Sequence, residues 1–170
     1  MSDSKSSPGG APDRGEAQAV GDILSGLFVV CAEDPATSLV EGFLGSWIQQ
    51  VSFDPLMISL AIKPGRPAHD LIVGGGVFSV NVIGEENQRL RKILWNGYDP
   101  LFSPFKTVQS TRGAAGGVLL DEARSSMECR RHSMITPGDH RVVFAEVLGG
   151  VVRESETRPL VHMRKSGHKY

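Results

Sequence analysis

The sequence predicts a mainly β protein, folded as a closed antiparallel barrel with two short helices. Three observations favour this fold: six or more short β-rich runs follow Leu27, only two segments have a helical pattern, and the 170 residues suit one domain. A parallel α/β fold is the alternative, but it needs helices between strands throughout, and the second half of the chain has almost none.

The first residues predict a tail rather than part of the barrel. Residues 1–19 consist mostly of Ser, Pro, Gly and charged side chains, which bury too little apolar surface to offset the chain entropy lost on folding. We therefore expect a disordered tail over residues 1–19 and one domain over residues 20–170.

The strands are expected in the following order. The run LFVVCA (27–32) is a strand, and the next, from about residue 38 to 51, contains Gly42 and Gly45, which indicate a bulge or a close approach by a ligand or another backbone. Residues 56–63 and 77–83 alternate between apolar and small or polar side chains, as strands do. Further strands are expected over 117–123, 125–135, 140–152 and 159–163.

Two helices interrupt the strands. Residues 67–75 begin with Pro67 and end in glycines, as helices prefer. Residues 85–95 carry acidic residues in the first turn and basic residues later, which suits the helix dipole. Residues 96–115 predict a long surface loop. The aromatic residues in and beside it could form a docking surface, a lid or a dimer contact (Trp95, Tyr98, Phe102 and Phe105).

Composition and charge exclude several functions. The chain has 18 Lys and Arg against 19 Asp and Glu, so its net charge of -1 provides no general attraction for nucleic acid or an anionic membrane. The sequence contains no signal peptide and no apolar run long enough to cross a bilayer, so a cytoplasmic location is expected. Cys31 and Cys129 lie within apolar strand patterns and are expected to be buried free thiols.

Common catalytic and nucleotide motifs are absent. The sequence has no GxGxxG, GxxxxGK[ST] or GxSxG, and its five histidines have neither HExxH nor CxxC neighbours, so no metal site is predicted. The three glycines at 74–76 follow a helix rather than precede one, and they indicate a helix stop.

Four features could carry chemistry. The stretch GSWIQQVSFDP (45–55) combines glycine, Trp47 and two serines, which either contact a flat ligand or only pack. The segment KPGRPAH (63–69) places cations before a helix, which suits a phosphate or is an ordinary surface turn. Asn81 needs a partner if it lines the barrel and none if it faces solvent. His140 follows the turn Gly138–Asp139 at the start of a strand, where it is either structural or a functional imidazole.

These segments, in their order and spacing, resemble the flavin reductase-like family of FMN-binding split barrels. The segments that carry the resemblance are SGLFVV (25–30), residues 42–63, RPAHDLI (66–72), FSVNVI (78–83), GDHRVVFAEV (138–147) and RPLVHMRK (158–165). The resemblance implies a six-stranded antiparallel Greek-key split barrel that forms a homodimer with flavin near the subunit interface.

The resemblance also assigns roles to residues. It implies that the flavin ring and ribityl chain contact Gly45, Ser46, Trp47, Ile48 and Ser52, and that the phosphate contacts Lys63, Arg66 and His69. His140 would lie near the flavin and the nicotinamide and orient the latter, while Asn81 joins the candidate cofactor contacts from the strand pattern alone.

The implied function is an NAD(P)H-dependent flavin oxidoreductase. Hydride would pass from NADH or NADPH to flavin N5, with FMN or FAD as the cofactor, which agrees with the absence of a catalytic triad because the flavin supplies the chemistry. A partner monooxygenase or another redox protein would receive the electrons. The alternatives are a flavin-binding electron carrier without enzymatic activity and a split barrel that binds haem or a pyridoxal phosphate derivative.

Overall fold

The structure, a computed structural model, describes residues 14–95, 103–153 and 156–168. The chain divides into two units, one of residues 1–24 with 162–170 and the other of residues 25–161. In the smaller unit, helix α1 (Arg14–Gly21) is held by a hydrogen bond of 2.6 Å from the Gly167 amide to the Ala17 carbonyl. The tail predicted over 1–19 therefore extends too far, because its last six positions are helical; residues 1–13 lie outside the described residues.

The larger unit contains the sheet strands and two further helices. In chain order the elements are β1 (Ser25–Gly26), β2 (Phe28–Glu33), β3 (Val40–Gly45), β4 (Ile48–Phe53), β5 (Leu56–Ile62), α2 (His69–Val73), β6 (Val77–Val82), α3 (Gln88–Trp95), a 3-10 helix (Pro104–Lys106), β7 (Ser110–Arg112), β8 (Val118–Leu120), β9 (Ser125–Ile135) and β10 (Arg141–Val152), with β11 (Val161–His162) at the boundary between the units.

The main sheet confirms the mainly β antiparallel prediction. Its seven strands run in the order β3-β2-β6-β9-β10-β5-β4, and every neighbouring pair is antiparallel. The sheet has one strand more than the resemblance implied. The long strand expected over 38–51 is two strands, β3 and β4, separated at Ser46–Trp47. These two lie at opposite ends of the strand order, and closure into a barrel remains a prediction.

Apolar side chains cover both faces of this sheet. One face, which we call the inner face, packs a buried cluster that includes Val30, Phe78 and Val143. The opposite face, which we call the outer face, packs a second cluster that includes Val29, Leu90 and Leu120. Strand β2 contributes to both clusters, which explains why its sequence is a continuous apolar run rather than an alternating one. The outer cluster is covered by α3 and by the β7–β8 hairpin.

Both helices of the larger unit begin later than predicted. Helix α2 begins at His69 because Ala68 adopts a left-handed conformation, with φ of 62°. Helix α3 begins at Gln88, after Asn87 accepts a hydrogen bond of 2.8 Å from the Gly84 amide through its side-chain oxygen. The predicted loop 96–115 contains the 3-10 helix and β7, while residues 96–102, with Tyr98 and Phe102, lie outside the described residues. No helix in the described part of the chain is long and apolar enough to cross a membrane.

A buried carboxylate fixes the turn of the β7–β8 hairpin. Glu128 on β9 is 3% exposed, and its Oε1 accepts hydrogen bonds of 3.0 Å from the Ala115 amide and 2.8 Å from the Gly117 amide. A Cβ atom at position 113 would collide with this carboxylate, so a larger residue there would displace Glu128 from the turn. The hairpin is thereby anchored to the outer face of the sheet.

Candidate functional site

The predicted ligand-binding stretch is a break between two strands. Strand β3 ends at Gly45, and pairing with β5 begins with Ile48 opposite Leu60. Between them, the carbonyl of Trp47 accepts a hydrogen bond of 3.0 Å from the Ala61 amide, while Ser46 is buried. The break therefore fixes the backbone of Trp47 beside the end of β5.

The antiparallel pairing of β5 with β10 brings three of the predicted residues together. Arg141 lies opposite Ile62, so Lys63, just after β5, and His140, just before β10, are neighbours across the strands. The rings of Trp47 and His140 are in contact, with centroids 4.9 Å apart and planes tilted by 50°. We call the set Trp47, Lys63, Asp139 and His140 the Trp–His cluster.

Asp139 links the histidine to the lysine within this cluster. One carboxylate oxygen lies 2.7 Å from His140 Nδ1, and the other lies 3.8 Å from Lys63 Nζ. The hydrogen bond with His140 holds the pKa of the Asp139 carboxyl below its usual range, and the positive charge of Lys63 acts in the same direction. Asp139 is therefore an anion at neutral pH, and it orients the imidazole from one side.

The basic turn offers exposed cations but few free backbone donors. Lys63 and Arg66 are both exposed, and the turn is closed by a hydrogen bond of 3.2 Å from the Arg66 amide to the Lys63 carbonyl. The Ala68 amide donates to the carboxylate of Glu41 at 2.9 Å, and the His69 amide donates to the Arg66 carbonyl. The Ala68 and His69 amides are therefore engaged within the protein, by Glu41 and by the turn, and are not available to a phosphate.

His69 contributes a side chain with one unused polar atom. The residue is 6% exposed, its Nδ1 lies 2.7 Å from Asp70 Oδ1, and its buried Nε2 has no hydrogen-bond partner among the described residues. A buried polar atom without a partner is costly, so a ligand atom that contacts Nε2 would remove that cost.

The remaining predicted contacts lie elsewhere. Ser52 lies opposite Met57 near the far end of β4, beyond an irregularity in the strand pairing, and Ile48 packs against the inner core. The two glycines do not provide clearance for a ligand, since a Cβ at Gly42 would lie 2.6 Å from the Phe105 ring and one at Gly45 would lie 3.1 Å from the Phe43 ring. The protein's own aromatic side chains use that space.

Asn81 faces neither the inner core cluster nor solvent. It is fully buried on the outer face of the sheet, where its side-chain oxygen accepts a hydrogen bond of 2.9 Å from the Leu120 amide on β8. Its side-chain nitrogen donates to the Val29 carbonyl and to Ser79 Oγ, both at 3.1 Å. With these atoms engaged inside the core, Asn81 is not placed to hold a cofactor, and its candidate role is structural.

A cavity that the sequence did not reveal lies along the other half of β4, β5 and β10. Its volume is about 750 Å³, and its apolar lining includes Phe28, Ile48, Leu56, Met127 and Val147. Ile48 is the only predicted site residue in this lining. The double glycine Gly149–Gly150 in β10 also lines the cavity. It was the available sequence signal, because glycine within a strand often marks a place where a ligand or another backbone comes close.

Known proteins share this sequence pattern and fold. The family model described as a flavin reductase like domain matches residues 20–169. Diflavin flavoprotein A 1 of Synechocystis sp. strain PCC 6803 is 31% identical over 155 residues, which cover 90% of this chain and 26% of that protein. The chain thus spans about a quarter of the length of the curated relatives it matches.

Two solved structures have the same architecture. The styrene monooxygenase flavin reductase SMOB of Pseudomonas putida S12 aligns with a TM-score of 0.74 and 26% identity, over 87% of this chain and 91% of that chain. The NADH:FAD oxidoreductase SgcE6 of Streptomyces globisporus C-1027 aligns with a TM-score of 0.77 and 20% identity, over 87% of this chain and 86% of that chain. The second likeness shows the shared fold alone.

Proposed function

The chain belongs to the flavin reductase like domain family, and from that premise we propose that it binds a flavin, FMN or FAD, and reduces it with NADH or NADPH. The observation that carries the proposal is the Trp–His cluster, which joins two aromatic rings to an exposed lysine at one end of β5. These residue types suit a flat ring with a phosphate attached, because aromatic faces stack on rings and cations attract phosphate.

The basic residues fit the anionic end of a flavin nucleotide. Lys63 and Arg66 are exposed cations on one tight turn, and the unpartnered Nε2 of His69 lies at the start of the helix that follows. We assign these three side chains to the phosphate. Because two backbone amides near the turn are already bonded, side-chain charge would supply most of the attraction.

The other predicted residues provide the environment of the ring. Trp47 and the neighbouring Ser46 would hold the ring near the strand break, and His140 would orient the nicotinamide. A bound flavin would supply the hydride acceptor, so the protein needs no strong acid or nucleophile of its own. The task of the chain is to hold two flat rings at reactive separation, roughly 3–3.5 Å.

We include a homodimer in the proposal. Beside the cavity, Phe53 at the end of β4 is 90% exposed, and Leu56 and Val152 are 47% and 63% exposed. An apolar surface of this kind on an oxidoreductase domain suits an interface, and a second copy of the chain is the occupant we propose. The likeness to a styrene monooxygenase flavin reductase favours a monooxygenase as the protein that uses the reduced flavin.

A second candidate is a flavin-binding electron-transfer domain without its own NAD(P)H activity. The likeness to Diflavin flavoprotein A 1 of Synechocystis favours it, because this chain spans about a quarter of that protein. In such a protein the electrons would come from another domain or partner, and the nicotinamide site would be unnecessary.

An anaerobic titration separates the two candidates. The purified chain is mixed with FMN or FAD, binding is measured by flavin fluorescence, and NADH or NADPH is then added while the visible flavin band is recorded. Bleaching that is faster than with free flavin supports the reductase, and binding without bleaching supports the electron carrier. A haem absorption band, or no binding of either flavin, would contradict both.

Matched lysine variants locate the phosphate contact. Lys63→Ala should weaken FMN binding more than riboflavin binding, because riboflavin lacks the phosphate. Lys92→Ala, an exposed lysine on the outer helix α3, should change neither affinity. Equal losses for FMN and riboflavin in Lys63→Ala would remove that residue from the phosphate site.

A further inference from the structure

Asp139 makes two different contacts with its two carboxylate oxygens. Oδ1 lies 2.7 Å from His140 Nδ1, and Oδ2 lies 3.8 Å from Lys63 Nζ. The side chains of Asp139 and Lys63 are 75% and 59% exposed, so the ion pair adds little to stability. The ion pair instead orients the Asp139 carboxylate, because Oδ2 faces the lysine and Oδ1 remains in contact with the histidine.

The contact with this carboxylate determines which imidazole nitrogen carries a hydrogen. An ionised carboxylate only accepts hydrogen bonds, so His140 Nδ1 must carry the hydrogen in this contact. Asp139 remains ionised at neutral pH because its pKa is lowered, mainly by this hydrogen bond. A neutral imidazole carries one N–H, which leaves Nε2 as a hydrogen-bond acceptor.

The imidazole ring also contacts an aromatic side chain. The centroid of the Trp47 ring lies 4.9 Å from that of the imidazole, and the backbone of Trp47 is fixed by the hydrogen bond from the Ala61 amide to its carbonyl. The His140 side chain is only 19% exposed. The imidazole therefore contacts both an aromatic ring and a carboxylate, and the carboxylate engages Nδ1 rather than Nε2.

We propose that Asp139 is a positioning residue that holds His140 in the Nδ1–H form, so that Nε2 accepts a hydrogen bond from the NH2 of a carboxamide. The nicotinamide ring carries such a group, and to that extent the inference rests on the proposed function. The choice of tautomer in the neutral ring does not, because the contact of Nδ1 with the Asp139 carboxylate selects it without any ligand.

The first test reads the tautomer directly. Long-range proton–nitrogen NMR of the histidine rings, at a pH where they are neutral, distinguishes Nδ1–H from Nε2–H, and the loss of one signal set in His140→Gln assigns the residue. We expect Nδ1–H in the unmodified chain, a shift toward Nε2–H in Asp139→Ala, and recovery of Nδ1–H in Asp139→Asn, whose amide oxygen can still accept.

A matched control exists in the same chain. Asp70 Oδ1 contacts His69 Nδ1 at the same 2.7 Å, so Asp70→Ala should move the His69 signals and leave those of His140 unchanged. An Nε2–H tautomer for His140 in the unmodified chain, or an unchanged tautomer in Asp139→Ala, would overturn the proposal. A partly unfolded variant would alter the signals of all the histidines, which separates misfolding from the local effect.

The second test examines the carboxamide. Reduced 3-acetylpyridine adenine dinucleotide has a methyl group where NADH has the amide NH2, so it cannot donate to Nε2. A typical hydrogen bond predicts that kcat/KM favours NADH by about 2- to 12-fold. Most of this preference should disappear in Asp139→Ala and return in Asp139→Asn.

Each test can refute its own part of the proposal independently of the other. A preference for NADH that is unchanged in Asp139→Ala would refute the carboxamide contact even if the tautomer is as expected. If no variant, nor the unmodified chain, oxidises NADH, the proposed reductase activity is refuted, while the NMR result still decides whether Asp139 positions His140.

Discussion

Replacing Asn81 tests whether this residue belongs to the core or to the cofactor. In Asn81→Ala the Leu120 amide loses its acceptor at 2.9 Å, and the donations to Val29 and Ser79 disappear. The site is fully buried, so water cannot replace these partners without opening the outer layer of the sheet. The variant should therefore be strongly destabilised and should still bind flavin when folded.

The size of the effect follows from these contacts. An unsatisfied buried N–H costs about 1–3 kcal/mol, and the net loss of the donated hydrogen bonds adds about 1 kcal/mol. We expect the free energy of unfolding to fall by about 2–4 kcal/mol, which is a large part of the stability of an ordinary domain.

Urea unfolding, followed by circular dichroism, measures this loss. Asn87→Ala is the matched control, because Asn87 is only partly buried and its side chain accepts a single hydrogen bond, from the Gly84 amide. That variant should lose about 0.5–1.5 kcal/mol. Flavin affinity is then compared in the cold, where both variants are folded.

Two outcomes would refute this reasoning. A loss below about 1 kcal/mol in Asn81→Ala would mean that the polar contacts on the outer face contribute little. A large loss of flavin affinity at nearly unchanged stability would return Asn81 to the cofactor site, as the strand pattern first suggested.

Three other predictions follow from buried or paired groups. Glu128→Ala should lower the free energy of unfolding by about 2–4 kcal/mol, because two turn amides lose their acceptor, and Glu128→Gln should lose less; urea unfolding compares them. Burial raises the pKa of the Cys31 thiol to about 11 and that of Cys129 to about 12, so iodoacetamide at pH 8 should label neither until urea unfolds the chain, as mass spectrometry would show. The lowered pKa of Asp139 means that its contribution to stability is present above about pH 4 and is lost as the pH falls, so the melting temperatures of the unmodified chain and Asp139→Asn should converge in acid.

Much of the fold could be predicted because most of the longer strands carry a local signal. The strand predicted over 125–135 has those bounds in the structure, and the apolar run at 27–32 is displaced by one residue. The short strand β7 was missed because its three residues, Ser110–Arg112, are all exposed and carry no apolar pattern. The division of the long strand at Ser46–Trp47 was signalled by the glycines beside it.

The candidate site was harder to predict because it depends on which strands pair. Lys63 and His140 are far apart in sequence, and only the register of β5 with β10 brings them together through Asp139. Local pattern also misassigned Asn81, since an alternating strand does not reveal that a hairpin covers its polar face. Gly42 suggested clearance for a ligand, whereas the Phe105 ring occupies that space.

The hydrogen bond between the Leu120 amide and Asn81 joins the hairpin to the sheet through a side chain rather than through strand pairing. An amide held in this way can exchange its hydrogen for deuterium when the hairpin lifts from the sheet, even while the sheet remains folded. The amides of β6 and β9 exchange only when the sheet itself opens. Comparing the two exchange rates would therefore show whether the outer layer is a separate cooperative unit.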